Sequence, residues 1–252
     1  MLLDTDAVVL HAFEYLESSR ILRLATRDAG VVSALARGAR RPKSRFGGSL
    51  DLFTGGVAHL AMRPGRDLQT LSGFDATRAR HGLAADLDRF TAASALAELA
   101  MRFIGEVPNA AAFDALVATL DDVVLAPPGG VGEVALAGAW HLVSELGFAP
   151  SVDECAACHA SIAEDEPAPF GHTAGGVLCR RCAALSPGGR PLPGRARTAI
   201  RRWSAGERFG AGGPGDVAAH QRLLRLFLQA HLSDGRPLPA YEVWEQQRWG
   251  AT

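Results

Sequence analysis

The chain has 252 residues, of which 48% are hydrophobic, and a formal net charge of −1. That length and apolar content allow one large core or two or three small ones and exclude wholesale disorder, while the near-neutral balance excludes a whole-chain electrostatic case for nucleic acid. No apolar run approaches the roughly eighteen residues of a membrane span, and Met1 to Val9 carries Asp4 and Asp6 without a basic residue, so a soluble cytoplasmic protein without a secretory leader is predicted.

The first part of the chain reads as short β segments: Ala7 to Leu10, Ser19 to Thr26, Gly30 to Ala36, Leu50 to Phe53 and His59 to Met62. Turn residues punctuate them at Asp28-Ala29-Gly30 and Arg63-Pro64-Gly65-Arg66-Asp67. Five short strands predict a small closed barrel, which hides its own edges. From about Leu83 the apolar period lengthens to that of a helix. Leu83, Leu87, Phe90 and Ser94 mark one stripe; Phe113, Leu116, Val117, Leu120 and Val124 mark another. A third helix is predicted over Val131 to Leu146, closed by Gly147 at the position that favours a left-handed cap. Beyond a cysteine segment come a Pro/Gly-rich connector, Ser186 to Gly194, and a second one over Gly210 to Gly215. A last helix over about Val217 to Leu232 sets Arg222, Arg225 and Gln229 against Leu223, Leu224, Phe227 and Leu228. These apolar stripes read as core.

All four cysteines fall in two Cys-x-x-Cys pairs, Cys155/Cys158 and Cys179/Cys182, with twenty residues between them. Two residues between the thiols let both sulfurs of a tight knuckle face one ion, and two such knuckles complete a tetrahedral zinc site. Two disulfides are the competing reading, weakened by the absence of a secretory signal. A redox pair would need one motif on a βαβ unit. Four thiolates leave no position for water, so the expected zinc is structural. A zinc deaminase is excluded because no His-x-Glu occurs. His159 and His172 lie near the cysteines and read as loop histidines before they read as ligands.

Between Val31 and Leu50 stand Arg37, Arg40, Arg41, Lys43 and Arg45, with no acidic residue among them. Cations answer phosphates and aromatic faces answer unstacked bases, so this run predicts a local nucleic-acid surface on the barrel rim. Phe13, Tyr15, Phe46 and Phe53 are the stacking candidates, each with a place in the barrel core as the competing role. A solvated loop without a ligand is the bland reading of the basic run. Arg180, Arg181, Arg201, Arg202, Arg222 and Arg225 would extend the surface, and helix solubility explains them equally well. Asp121-Asp122 reads as a solvated helix face, not a magnesium site.

The segments Ala7-Val8-Val9-Leu10, Tyr15-Leu16-Glu17-Ser18-Ser19, Thr26-Arg27-Asp28-Ala29-Gly30 and Gly38-Ala39-Arg40-Arg41-Pro42-Lys43-Ser44-Arg45 resemble the N-terminal domain of the bacterial recombination and repair protein family RecO. Downstream, Cys155-Ala156-Ala157-Cys158, Phe170, Gly175-Gly176 and Cys179-Arg180-Arg181-Cys182 resemble its zinc-bearing members. The resemblance covers nearly the whole chain in order. It implies an α+β protein: an OB-fold β-barrel at residues 1–78, then an α-helical domain at 79–252 with a four-cysteine zinc insertion at about 150–185. It implies a recombination mediator, not an enzyme, that binds single- and double-stranded DNA, anneals complementary strands, and works with RecR and single-strand-binding protein to load RecA. On the family pattern Arg37, Arg40, Arg41, Lys43 and Arg45 bind DNA, Cys155, Cys158, Cys179 and Cys182 hold one zinc, and the protein is cytoplasmic and nucleoid-associated. Near the C-terminus the chain departs from the family, with Pro237-Leu238-Pro239-Ala240 where Leu-Lys-Ser is common. A zinc-containing adaptor without annealing activity, or a zinc-containing DNA-processing enzyme, is the alternative.

Overall fold

Alternating apolar residues with β-branched partners build five strands at the N-terminus: β1 (Leu2–Tyr15), β2 (Ser19–Thr26), β3 (Gly30–Ala36), β4 (Gly55–Ala61) and β5 (Leu68–Arg78). The computed structural model describes residues 1–84, 86–164, 166–186, 189–232 and 236–246. Pro187 and Gly188 of the expected connector and residues 247–252 of the expected second domain lie outside them. The strands close into a barrel in the order β1-β2-β3-β5-β4, with β3 and β5 parallel and the other pairs antiparallel. That is the five-stranded layout of an OB-fold. β1 closes it by pairing with β4 over Leu2 to Val8 and with β2 from Ala7 to Tyr15, bending at a register shift between Val9 and His11.

The structure corrects the set of strands expected from the sequence. Leu50 to Phe53 is a run of turns, not a strand: Leu50 and Phe46 are plugs that drop from the β3–β4 loop into the barrel core beside Val9, Leu22, Leu24, Leu60 and Leu71. The fifth strand is instead β5, whose Gln69-Thr70-Leu71-Ser72-Gly73 lacks a strong apolar alternation.

The first compact unit runs from Met1 to Ala126 and includes α1 (Leu87–Phe103) and α2 (Ala110–Leu125). Asp86 and Asn109 cap them, accepting from the Arg89 and Ala112 amides at 2.8 and 3.0 Å. The buried face of α1 is not the stripe of large residues. Leu87 is 65% and Phe90 37% exposed, whereas Ala92, Ala93, Ala95, Leu96, Leu99 and Ala100 are buried, because small side chains let the helix approach β1 and β2 closely. Asp121 on α2 is not a solvated carboxylate. It accepts from Arg80 Nε at 2.7 Å and pairs with Arg78, and the buried Arg80 also donates to the Phe53 carbonyl at 2.8 Å.

On the outer barrel face His59 bridges Asp4 (2.7 Å from Nδ1) and Asp75 (3.0 Å from Nε2) across three strands. The hydrogen bonds to Asp75 and Asp4 raise its pKa above the ordinary 6.5. Its stabilisation is therefore complete below about 6.5 and lost as pH rises through the raised value. We expect the barrel's melting temperature to fall over that interval in the parent and to stay level in His59→Gln, as read by thermal melts across a pH series.

The second unit, Pro127 onward, contains α3 (Val131–Glu145), a three-stranded sheet of β6 (Ala168–Gly171), β7 (Gly176–Val177) and β8 (Arg190–Leu192), and α4 (Arg180–Leu185). α5 (Gly194–Ser204), α6 (Pro214–His231) and α7 (Pro239–Gln246) complete it. Gly147 follows α3 at φ +87°, the left-handed conformation expected of it. The sheet order is β7-β6-β8, and Phe170 of β6 joins it to the helices through Phe227, which in turn meets Trp140 at 5.5 Å. Leu238 of the divergent C-terminal stretch and the adjoining Tyr241 are fully buried, and the Tyr241 hydroxyl donates to the Gln221 carbonyl at 2.9 Å. Among the described residues no helix is long and apolar enough to cross a membrane.

Candidate nucleic-acid interface and metal centre

The basic run occupies the β3–β4 loop. Because Phe46 and Leu50 are spent as core plugs, the residues before them are turned outward, and Arg37, Arg40, Arg41, Lys43 and Arg45 are all exposed. The loop is held by a ladder of turns: Arg41 N to Gly38 O at 3.1 Å, Ser44 N to Arg41 O at 2.9 Å, Gly47 N to Ser44 O at 3.2 Å and Ser49 N to Phe46 O at 2.9 Å. At its base the Arg40 amide donates to the Ser18 carbonyl at 3.0 Å, fastening it to the β1–β2 hairpin. Arg40 also meets Glu14 at 3.2 Å, and the Arg45 guanidinium lies 5.2 Å over the Phe46 ring. The Arg40–Glu14 pair is at the surface and displaceable by a phosphate.

The four aromatic candidates divide. Phe46 and Phe53 are core, each 3% exposed. Phe13 and Tyr15 stand out from the end of β1 at 51% and 40%. Strand alternation puts them on the hairpin face opposite Glu14, so the aromatic pair and the Arg40 contact flank one hairpin. Of the downstream arginines, Arg201 meets Asp153 and Glu164 and Arg202 meets Glu207 in surface pairs like that of Arg40, whereas Arg225 is held by the more buried Glu245. Arg222 reaches Glu245 only at 3.9 Å, and Arg180 reaches Glu166 at the same distance.

The cysteines converge. All four Sγ atoms lie within 4.8 Å of one another, no disulfide joins them, and Cys158 and Cys179 are 3.8 Å apart. A tetrahedron with zinc–sulfur bonds of about 2.3 Å has edges of about 3.8 Å, so the cluster fits a four-coordinate ion. The first knuckle is shaped by Cys155 N donating to Ala160 O at 2.8 Å and His159 N donating to Cys155 O at 2.8 Å, with His159 left-handed at φ +59°. The second is a helix start: Cys179 is the N-cap of α4 and Cys182 sits in its first turn. Burial opposes ionisation of Cys155, but the Cys179, Ala157 and Cys158 amides outweigh it and bring the thiol down to about 6. Sharing hydrogen bonds with Cys158 and Cys179 pushes Cys182 up to about 12. Gly176 lies so close to Ser151 that a Cβ would sit 2.2 Å from its carbonyl oxygen, so only glycine lets this strand pass. His159 is turned to Glu154 at 2.9 Å, and His231 donates to the His172 carbonyl at 2.5 Å; neither His159 nor His172 belongs to the cluster.

Sequence reasoning missed one residue of this centre. Arg197 of α5, 2% exposed, donates Nε to Val152 O at 2.8 Å, Nη1 to Ala163 O at 2.8 Å and to Glu166 O at 2.7 Å, and Nη2 to Ile162 O at 3.3 Å. It thus ties down both sides of the loop that carries Cys155 and Cys158. The sequence signal was weak: an arginine within an Ala/Ile/Trp-lined helix face.

Comparison with known proteins finds relatives over most of the chain. The family described as Recombination protein O N terminal matches residues 1–80, and Recombination protein O C terminal matches residues 84–240. The chain is 37% identical to the DNA repair protein RecO of Anaeromyxobacter dehalogenans (strain 2CP-C), over 92% of each chain. It is 34% identical to the DNA repair protein RecO of Rubrobacter xylanophilus, over 89% of this chain and 90% of the relative.

Proposed function

The chain belongs to the RecO family, and from that footing we propose that it is a recombination mediator in DNA repair whose barrel binds single- and double-stranded DNA. The observation that carries this reading is the ordered loop of five outward cations on an OB barrel. Such a surface attracts phosphates without reading bases, which is what strand annealing needs: it lowers the repulsion between two strands while leaving their base edges free to pair. The solvent-facing Phe13 and Tyr15 supply stacking surface for unpaired bases. On this reading the barrel, residues 1–78, is the DNA-binding domain, and the protein acts with RecR on strands covered by single-strand-binding protein to load RecA. It works in the cytoplasm, at the nucleoid, and no catalytic step is assigned to it.

The metal is zinc in this reading, because four thiolates with tetrahedral spacing suit a soft-ligand structural site. Its contribution is to fold: it closes the two knuckles and holds the sheet that Phe170 packs onto α6. The test of the functional reading is an annealing assay with complementary oligonucleotides, with and without single-strand-binding protein. The parent is expected to accelerate duplex formation, and the Arg40→Ala, Arg41→Ala, Lys43→Ala triple variant to lose most of that acceleration for every sequence alike. A triple variant that anneals at the parent rate moves the DNA site off the barrel loop. Failure of the parent to bind DNA at all favours a protein adaptor.

A further inference from the structure

A cavity of about 280 Å³ opens in the second unit between β6, β8, the start of α5 and α6, and none of the four cysteines lines it. Its walls include Phe170, Leu192, Leu223 and Leu226, with the His172 and His220 rings among them, and Arg190, Arg195 and Arg222 stand at its lining. This volume is near the lower bound of about 300 Å³ for small-molecule sites, and the combination of apolar wall and convergent charge is the usual make-up of one.

The charge at one end is uncompensated. Arg190 and Arg195 are exposed and, among the described residues, neither has a carboxylate partner; Arg195 has only the Phe209 ring at 5.9 Å. Arg195 also lies in the first turn of α5, which has no side-chain cap and no acidic residue there. A cation at the positive end of a helix is unfavourable, and an anion seated there would reverse the sign of that interaction. Asp216 is the one acidic residue of the lining, and its carboxylate is taken by the Gly213 amide at 2.8 Å at the start of α6. Deeper in, His220 is 3% exposed and packs edge-on against Trp203, with its Nδ1 enclosed beneath the cavity surface. Burial lowers its pKa to about 4, so the imidazole is neutral and adds no charge to the wall.

We propose that this cavity binds one nucleotide, with its phosphate between Arg190, Arg195 and the first turn of α5 and its base against the apolar and imidazole walls. The planar, heteroaromatic character of a base suits walls that carry the Phe170, His172 and His220 rings. The dianion of a phosphate monoester suits two guanidinium groups at the start of a helix. The inference rests on the DNA-binding reading for its biological sense: the 5′-phosphorylated terminal nucleotide of a bound strand is the natural occupant.

The test uses the full zinc-loaded chain and three probes in calorimetric titration: thymidine 5′-monophosphate, thymidine and inorganic phosphate. Saturable one-to-one binding of the monophosphate is expected, with each half-molecule weaker by about tenfold or more, the factor of a lost set of charged hydrogen bonds. Arg190→Ala with Arg195→Ala should weaken the monophosphate by at least that factor, and Ala219→Trp, at an exposed position on the cavity wall, should block it by filling the space. Arg40→Ala with Arg41→Ala on the barrel should leave it unchanged. No binding of the monophosphate, or binding lost in the barrel variant and kept in the cavity variants, overturns the proposal. So does displacement of the monophosphate from an otherwise indifferent surface by phosphate alone, or occupation of the cavity only by an acidic, apolar-ended peptide. A long single-stranded oligonucleotide run in parallel separates the two readings: oligonucleotide bound and nucleotide refused sinks the cavity alone, and the converse sinks the barrel site alone.

Discussion

Replacing Cys155 with serine, or stripping the metal with a strong chelator, is expected to melt the segment from Ser151 to Cys182 and loosen the helices it packs on, while the barrel keeps its own melting. Cys155 is the fully buried member of the cluster, and the segment around it is short of other support. β7 has two residues, β6 four, and α4 presents no buried residue. A four-thiolate zinc site contributes on the order of 10 kcal/mol to the folding of its surroundings, more than the small sheet can supply by burial of Phe170, Val177 and Leu192. The effect should stay local because the chain divides at Ala126 into compact units with their own cores. Hydrogen exchange of the metal-free protein is the measurement: protection lost over residues 151–182 and retained in β1 to β5. Full protection of that segment without metal would show that the sheet stands alone.

Arg197→Met is expected to destabilise the second unit by about 3 to 5 kcal/mol, the range for breaking a buried charged network, and to hasten metal loss. Among the described residues the buried guanidinium has no carboxylate within ion-pair distance, and it is solvated by the carbonyls of Val152, Ile162, Ala163 and Glu166. Methionine fills the space but leaves those oxygens without donors, and each unsatisfied buried carbonyl costs about 1 to 3 kcal/mol before relaxation. Arg197→Lys should fall between, because one ammonium cannot span carbonyls on both sides of the loop as a planar fork does. Thermal melts with zinc release followed by a chromophoric chelator test both variants. A methionine variant with parent melting and parent release rate would show that the four carbonyls find water instead.

Much of this architecture could be read from the sequence where one period or one spacing carried it. β2 and β3 are as the alternation in Ser19 to Thr26 and Gly30 to Ala36 indicates, and the thiol cluster is as two Cys-x-x-Cys pairs indicate. The reading failed where an apolar residue has a tertiary job that local pattern does not encode. Leu50 and Phe53 look like strand residues because they are apolar, yet one is a plug in the barrel and the other a buried left-handed turn residue at φ +64°. The face of α1 was misjudged because alanines give a weak hydrophobic signal while making the closest packing. Arg80, Arg197 and the Arg190/Arg195 pair draw their meaning from partners up to 45 residues away, or from the shape of a cavity, and no spacing in the sequence reports that.

The same distinction bears on the DNA site. A cluster of five cations between Val31 and Leu50 is visible in the sequence, but that all five face solvent follows only from the burial of Phe46 and Leu50 behind them. The most direct test is therefore the salt dependence of single-stranded oligonucleotide binding by the parent and by the Arg40→Ala, Arg41→Ala, Lys43→Ala variant. Five neutralised phosphates give a log–log slope of roughly −3.5 for the parent, and two give roughly −1.4 for the variant. Equal slopes for the two proteins, or a parent slope near zero, would contradict a DNA surface built on this loop.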